Sequence, residues 1–137
     1  MFDQAGGAGK NRVGQMPISY GTDKAAAVTR AHSLFRWFGL GWKVNAELPG
    51  PAAFDAASQF VRPEDVAGSI PCGADVGAVI EAAQEYADAG FTHLALVQIG
   101  GEAQAPYLEW AQRDLMPAWR EAFELSLIHI SEPTRPY

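Results

Sequence analysis

The sequence predicts an α/β fold built on two parallel strands, and three observations predict it. Residues Phe91 to Ile99 (FTHLALVQI) form a nearly continuous apolar run, the pattern of a parallel strand covered on both faces. Arg12 to Tyr20 (RVGQMPISY) carries Val13, Met16, Ile18 and Tyr20 and ends at Gly21, which suits a shorter strand despite Pro17. Between them, residues 21–90 show helical spacing and are numerous enough for the crossover connection that parallel strands require.

Taken in order, Met1 to Asn11 is glycine-rich and short of apolar residues, so it reads as a loop or a frayed helix end cut from something longer. After the first strand, Thr22 or Asp23 can cap a helix with Ala27, Val28, Ala31, Leu34, Phe35 and Phe38 on one face and Gly39 as its stop. Phe35 to Pro51 (FRWFGLGWKVNAELPGP) is a long connection carrying aromatics where an ordinary connector would be short and polar. Ala52 to Val61 places Ala53, Phe54, Ala57, Phe60 and Val61 at helical intervals. Arg62-Pro63-Glu64-Asp65 marks another helix start, with proline early and acids near the positive end of the dipole. Ser69 to Gly73 is a brief extended turn. Asp75 then caps a helix with Val76, Val79, Ile80, Ala83 and Ala87 inward, stopped at Gly90. A last helix from about Pro106 buries Leu108, Ala111, Leu115, Trp119, Ala122 and Phe123, and Pro117 kinks it. Two parallel strands with helices on one side leave the other face bare, so the expectation is a fragment of a larger α/β protein.

Composition removes several classes. The chain has 137 residues, 48% of them hydrophobic, within the range of one domain, and its formal charge of −6 lacks the basic stripe of a nucleic-acid binder or a membrane-surface helix. There is no apolar run of spanning length and no signal-peptide core, so a soluble, cytoplasmic protein is expected. The lone Cys72 excludes an internal disulfide. Residues 1–124 read as one partial domain. From 125 to 137 the composition changes, and SLIHISEPTRPY resembles translated sequencing-adapter read-through, a non-native tail.

Few residues announce chemistry. Gly6 to Lys10 (GGAGK) lacks the earlier glycine, the following hydroxyl residue and the preceding strand of a phosphate loop. His32 and His93 have no second ligand at metal spacing, although His93 lies in the stronger strand and so points toward a possible active-site mouth. Cys72 has no nearby cation in the sequence to activate it. Trp42, Lys43, Asn45 and Glu47 combine a flat apolar surface with a cation, an amide and an acid, which fits either a wall that recognises a polar organic substrate or a packed loop with solvated charges. Gln98, Gly100 and Gly101 stand at the carboxyl end of the second strand, where parallel sheets bind ligands, or else form a plain glycine turn.

Together WFGLGWKVNAELPGPAAF, VRPEDV, PCGADV and AGFTHLALVQIGG resemble the C-terminal part of the luciferase-like oxidoreductases that use coenzyme F420, in particular the group similar to F420-dependent glucose-6-phosphate dehydrogenase. The resemblance implies the last two βα units of a TIM (β/α)₈ barrel, with Arg12 to Tyr20 as strand seven and Phe91 to Ile99 as strand eight. It implies hydride transfer between a bound deazaflavin and a small organic substrate, in a full-length parent compatible with a homodimer. The chain would supply the substrate-side wall, from Trp42, Lys43, Asn45, Glu47, Gln98 and Gly100, while catalytic residues and most cofactor contacts belong to the first six strands. Where members acting on glucose 6-phosphate hold the phosphate with a lysine and an arginine, this chain has Asp55 and Gly68, which argues for another substrate. Two alternatives stand beside this reading: an FMN-dependent monooxygenase on the same barrel, and a non-catalytic binding or assembly module.

Overall fold

A computed structural model describes the backbone over residues 2–130 and the side chains as far as residue 123. Residues 131–137, the larger part of the expected tail, lie outside the described residues. Two strands, β1 (Val13–Ile18) and β2 (His93–Gln98), pair in parallel with Val13 opposite His93 and Ile18 opposite Gln98. Ser19 extends β1 by a parallel bridge to Cys72, so Pro71–Gly73 covers the far edge of β1 at its carboxyl end.

Seven α-helices surround this pair among the described residues: α1 (Lys24–Phe35), α2 (Trp42–Asn45), α3 (Pro51–Ser58), α4 (Pro63–Ala67), α5 (Val76–Asp88), α6 (Gln104–Trp110) and α7 (Met116–Ile130). The caps are those the sequence predicts. Asp23 accepts from the N–H groups of Ala25 and Ala26, and Asp75 from that of Ala78, which satisfies donors that a first helical turn leaves orphaned. Gly90 ends α5 at φ 86°, a left-handed conformation suited to glycine.

The alternation of strand side chains decides where the core lies. Gly14, Met16 and Ile18 share one face with Leu94, Leu96 and Gln98. On it pack Val79 and Ala83 of α5 together with Tyr107, Trp110, Ala111 and Leu115, and Ile18 and Leu115 are wholly buried. Burying each such side chain contributes about 1.5–3 kcal/mol. A second cluster joins Ala27 and Ala31 of α1 to Val66, Ile70, Cys72 and Ile99. The opposite sheet face is open at its amino-terminal half, where Val13 is 67% exposed and Gln15, His93 and Ala95 are exposed. The apolar run of β2 thus has one face covered along its length and the other covered only toward its carboxyl end, where Ile99 joins the second cluster.

Several expected inward residues face out. Leu108 is 64% exposed because the buried stripe runs through Tyr107, Trp110, Ala111 and Leu115, one position away. Phe60 is exposed because α3 stops at Ser58 and helical spacing no longer governs it. Leu34 occupies the last turn of α1, where it lines a shallow cavity instead of the core, and Ala87 is likewise exposed. Gly39 does not stop α1, which gives way at Arg36 to a tight 3₁₀ segment over Arg36–Leu40. The kink expected at Pro117 takes the form of a widened π-turn, Ala111–Leu115, closed by a bond from the Met116 N–H to the Ala111 carbonyl. Proline has no N–H for the carbonyl of Arg113 and its ring would collide with that carbonyl, so a wider turn just before it relieves the clash.

Candidate functional site

The carboxyl ends of β1 and β2 meet at Tyr20. No strand takes its backbone groups, and two side chains do so instead. The Tyr20 N–H donates to Gln98 Oε1 at 2.9 Å, and the Tyr20 carbonyl accepts from Arg30 Nη1 at 2.7 Å. Gln98 also donates through Nε2 to the Ile99 carbonyl at 2.6 Å. Arg30, reaching in from α1, donates further to Ser19 Oγ at 3.3 Å and pairs through Nε with Glu102 Oε1 at 3.1 Å. The Tyr20 ring stacks on Trp110 with centroids 4.9 Å apart. The backbone of Gly100 passes this cluster at φ 88°, and a Cβ there would stand 2.6 Å from Arg30 Cδ and 2.7 Å from Glu102 Oε1. The close approach that calls for glycine is to Arg30.

Two of the six residues expected to line a substrate wall, Gln98 and Gly100, stand at the carboxyl end of the sheet, where Gln98 ties the strand ends and the Gly100 backbone passes close to Arg30. The other four lie on the connection after α1. Trp42, Lys43 and Asn45 form the short helix α2, which packs chiefly against Arg36–Leu40. Trp42 is 83% exposed, and Lys43 and Glu47 are exposed. Asn45 carries its Oδ1 buried without a hydrogen-bond partner, alone in this among the described residues. Ahead of α2, Trp37 meets Phe54 of α3 edge-on at 6.0 Å beside a shallow cavity of about 560 Å³, closed at one side by Arg36, which donates to Asp55 and to Ser58 Oγ. Asp55 is thus already an arginine partner.

The remaining candidates take structural places. His32 Nε2 lies 2.8 Å from the Val61 carbonyl. His93 stands exposed at the amino end of β2, beside Thr92 Oγ1 and a full strand length from Gln98, so it does not reach the carboxyl-end mouth. Burial pushes the Cys72 thiol up, with Lys24 and Arg30 opposing the shift only in part. Arg62 grips Asp65 through its guanidinium and backbone N–H, and these bonds pull the Asp65 carboxyl down to about 2. No group of three or more metal-ligating side chains occurs, and no helix is long and apolar enough to cross a membrane, among the described residues.

Arg30, Tyr20 and Glu102 were not singled out by sequence. Arg30 sits between the buried Ala27 and Ala31 of α1, an arginine beside an alanine stripe, and that placement is the signal that could have marked it. No protein-family model matches the chain, and comparison with curated proteins returns no match.

Proposed function

We propose that this chain is the closing quarter of a luciferase-like (β/α)₈ barrel from an F420-dependent oxidoreductase. β1 and β2 would be its seventh and eighth strands, and the chain would contribute wall rather than catalytic groups. The observation that carries the reading is the bare amino-terminal half of one sheet face, which α1 closes over only at Pro17 and Ser19. Helices α5, α6 and α7 cover one face, as helices do on the outside of such a barrel, and the face that would line the interior is open at Val13, Gln15, His93 and Ala95. Along β2, whose edge away from β1 carries no strand among the described residues, runs a broad groove of about 1510 Å³ whose walls include Phe91, Leu94, Leu96, Leu108, Met116 and Trp119. A further strand and helix laid there would continue the barrel.

The deazaflavin would be held chiefly by the missing strands, and no step of the transfer runs through the strand-end residues of this chain. The long connection after β1, with Trp42, Lys43, Asn45 and Glu47, is the part free to face a substrate, and Asp55 beside Arg36 speaks against a sugar phosphate there. The test is to recover the upstream reading frame, express the longer protein and titrate it with coenzyme F420 and with FMN. Deazaflavin binding supports the reading, tighter FMN binding transfers it to a flavin monooxygenase, and binding of neither refutes it.

A further inference from the structure

The geometry points to Arg30 as an anchor for a compact oxyanion, a carboxylate or phosphoryl group, at the carboxyl end of β1. A guanidinium has more than one binding edge. Nη1 of Arg30 is committed to the Tyr20 carbonyl and to Ser19 Oγ. The edge formed by Nε and Nη2 is a fork that carboxylates and phosphates grip with two oxygens. Glu102 takes only half of it, through one oxygen on Nε at 3.1 Å, and Nη2 has no partner among the described residues.

The two partners are also unequally held. The Arg30 side chain is 20% exposed and fixed by two contacts besides Glu102, whereas the Glu102 side chain is 71% exposed and held by this one ion pair among the described residues. An incoming oxyanion would displace Glu102 without moving the cation. Gly21 borders Nη2, and even a Cβ built on it would stay 3.9 Å away, so the approach is not blocked by a side chain there. The open edge of the guanidinium lies at the carboxyl end of β1, where parallel α/β sheets bind ligands. The inference does not depend on the oxidoreductase reading, since it concerns residues wholly within the chain.

The probe is inorganic phosphate followed by ³¹P NMR line width, with the full 137-residue chain at constant ionic strength; acetate, followed by ¹³C, separates carboxylate from phosphoryl preference. The expected result is saturable broadening for at least one probe, tightened about threefold or more in Glu102→Gln, where the competing carboxylate is gone. It should weaken in Arg30→Lys, which keeps the charge without the fork, disappear in Arg30→Gln, and persist in Lys10→Ala. Glu102 is exposed, so its variant remains informative even if the Arg30 variants misfold. Broadening that is absent for both probes, or unchanged by Glu102→Gln, overturns the proposal.

Discussion

Replacing Gln98 by methionine separates a residue that ties the strand ends from one that lines a substrate pocket. The side chain keeps its length and loses both hydrogen bonds, the 2.9 Å bond accepted from the Tyr20 N–H and the 2.6 Å bond donated to the Ile99 carbonyl. Tyr20 is 8% exposed, so its N–H becomes an unsatisfied donor with little access to water. Such a group costs about 1–3 kcal/mol, which corresponds to roughly a 5- to 150-fold rise in local opening at 1.4 kcal/mol per decade. The assay is residue-resolved amide hydrogen exchange, which reports local stability without requiring global two-state unfolding. Tyr20 and Ile99 should lose protection together while α5 is unaffected. Gln98→Glu, which retains an acceptor for Tyr20 but places a carboxylate against the Ile99 carbonyl, should preserve Tyr20 protection better than Gln98→Met. Unchanged exchange at Tyr20 in the methionine variant would refute the tie.

Other expectations follow from the same geometry. Gly100→Ala should loosen the Arg30 cluster by about 1–3 kcal/mol, because alanine is strained at φ 88° and its Cβ meets Arg30; unchanged exchange over Tyr20 and Ile99 would contradict this. Leu115→Ala, at a wholly buried position, should destabilise the α5 and α6 packing by about 2–5 kcal/mol, read as lost protection in α5. The Asp65 carboxyl should titrate at about 2. Its folded value lies below the ordinary 3.8, so its contribution to the α4 amino end is present above that ordinary value and is lost as pH falls through about 2; an NMR midpoint near 3.8 would contradict the Arg62 pairing. Cys72, buried with its thiol pushed up, should alkylate at neutral pH more slowly than free cysteine, and rapid labelling would contradict its burial.

The parts of the fold that were legible in sequence are those set by local chemistry. Asp23 and Asp75 are capping residues wherever a helix follows them, and the apolar run of β2 defines a strand without knowledge of its neighbours. Leu34, Phe60 and Leu108 were misread because periodicity tells which residues share a face but not where a helix ends or what lies opposite it. Trp42–Asn45 spans about one turn, too short to show any period, so α2 was read as loop. At the site, Gly100 stood out as a glycine after a strand, but its cause was hidden because Arg30 lies 70 positions away and reaches it only through the tertiary fold. Gln98 was recognised for its place at a strand end, while its role followed from a bond to Tyr20 that no local pattern encodes.

We propose that further strands complete this sheet in a longer parent protein. The measurement that meets it most directly is scanning calorimetry of the isolated chain combined with binding of a hydrophobic dye. A half-open sheet face and the groove along β2 predict a broad, weakly cooperative transition, strong dye binding and self-association. A sharp two-state transition from a monomer that binds no dye would contradict it.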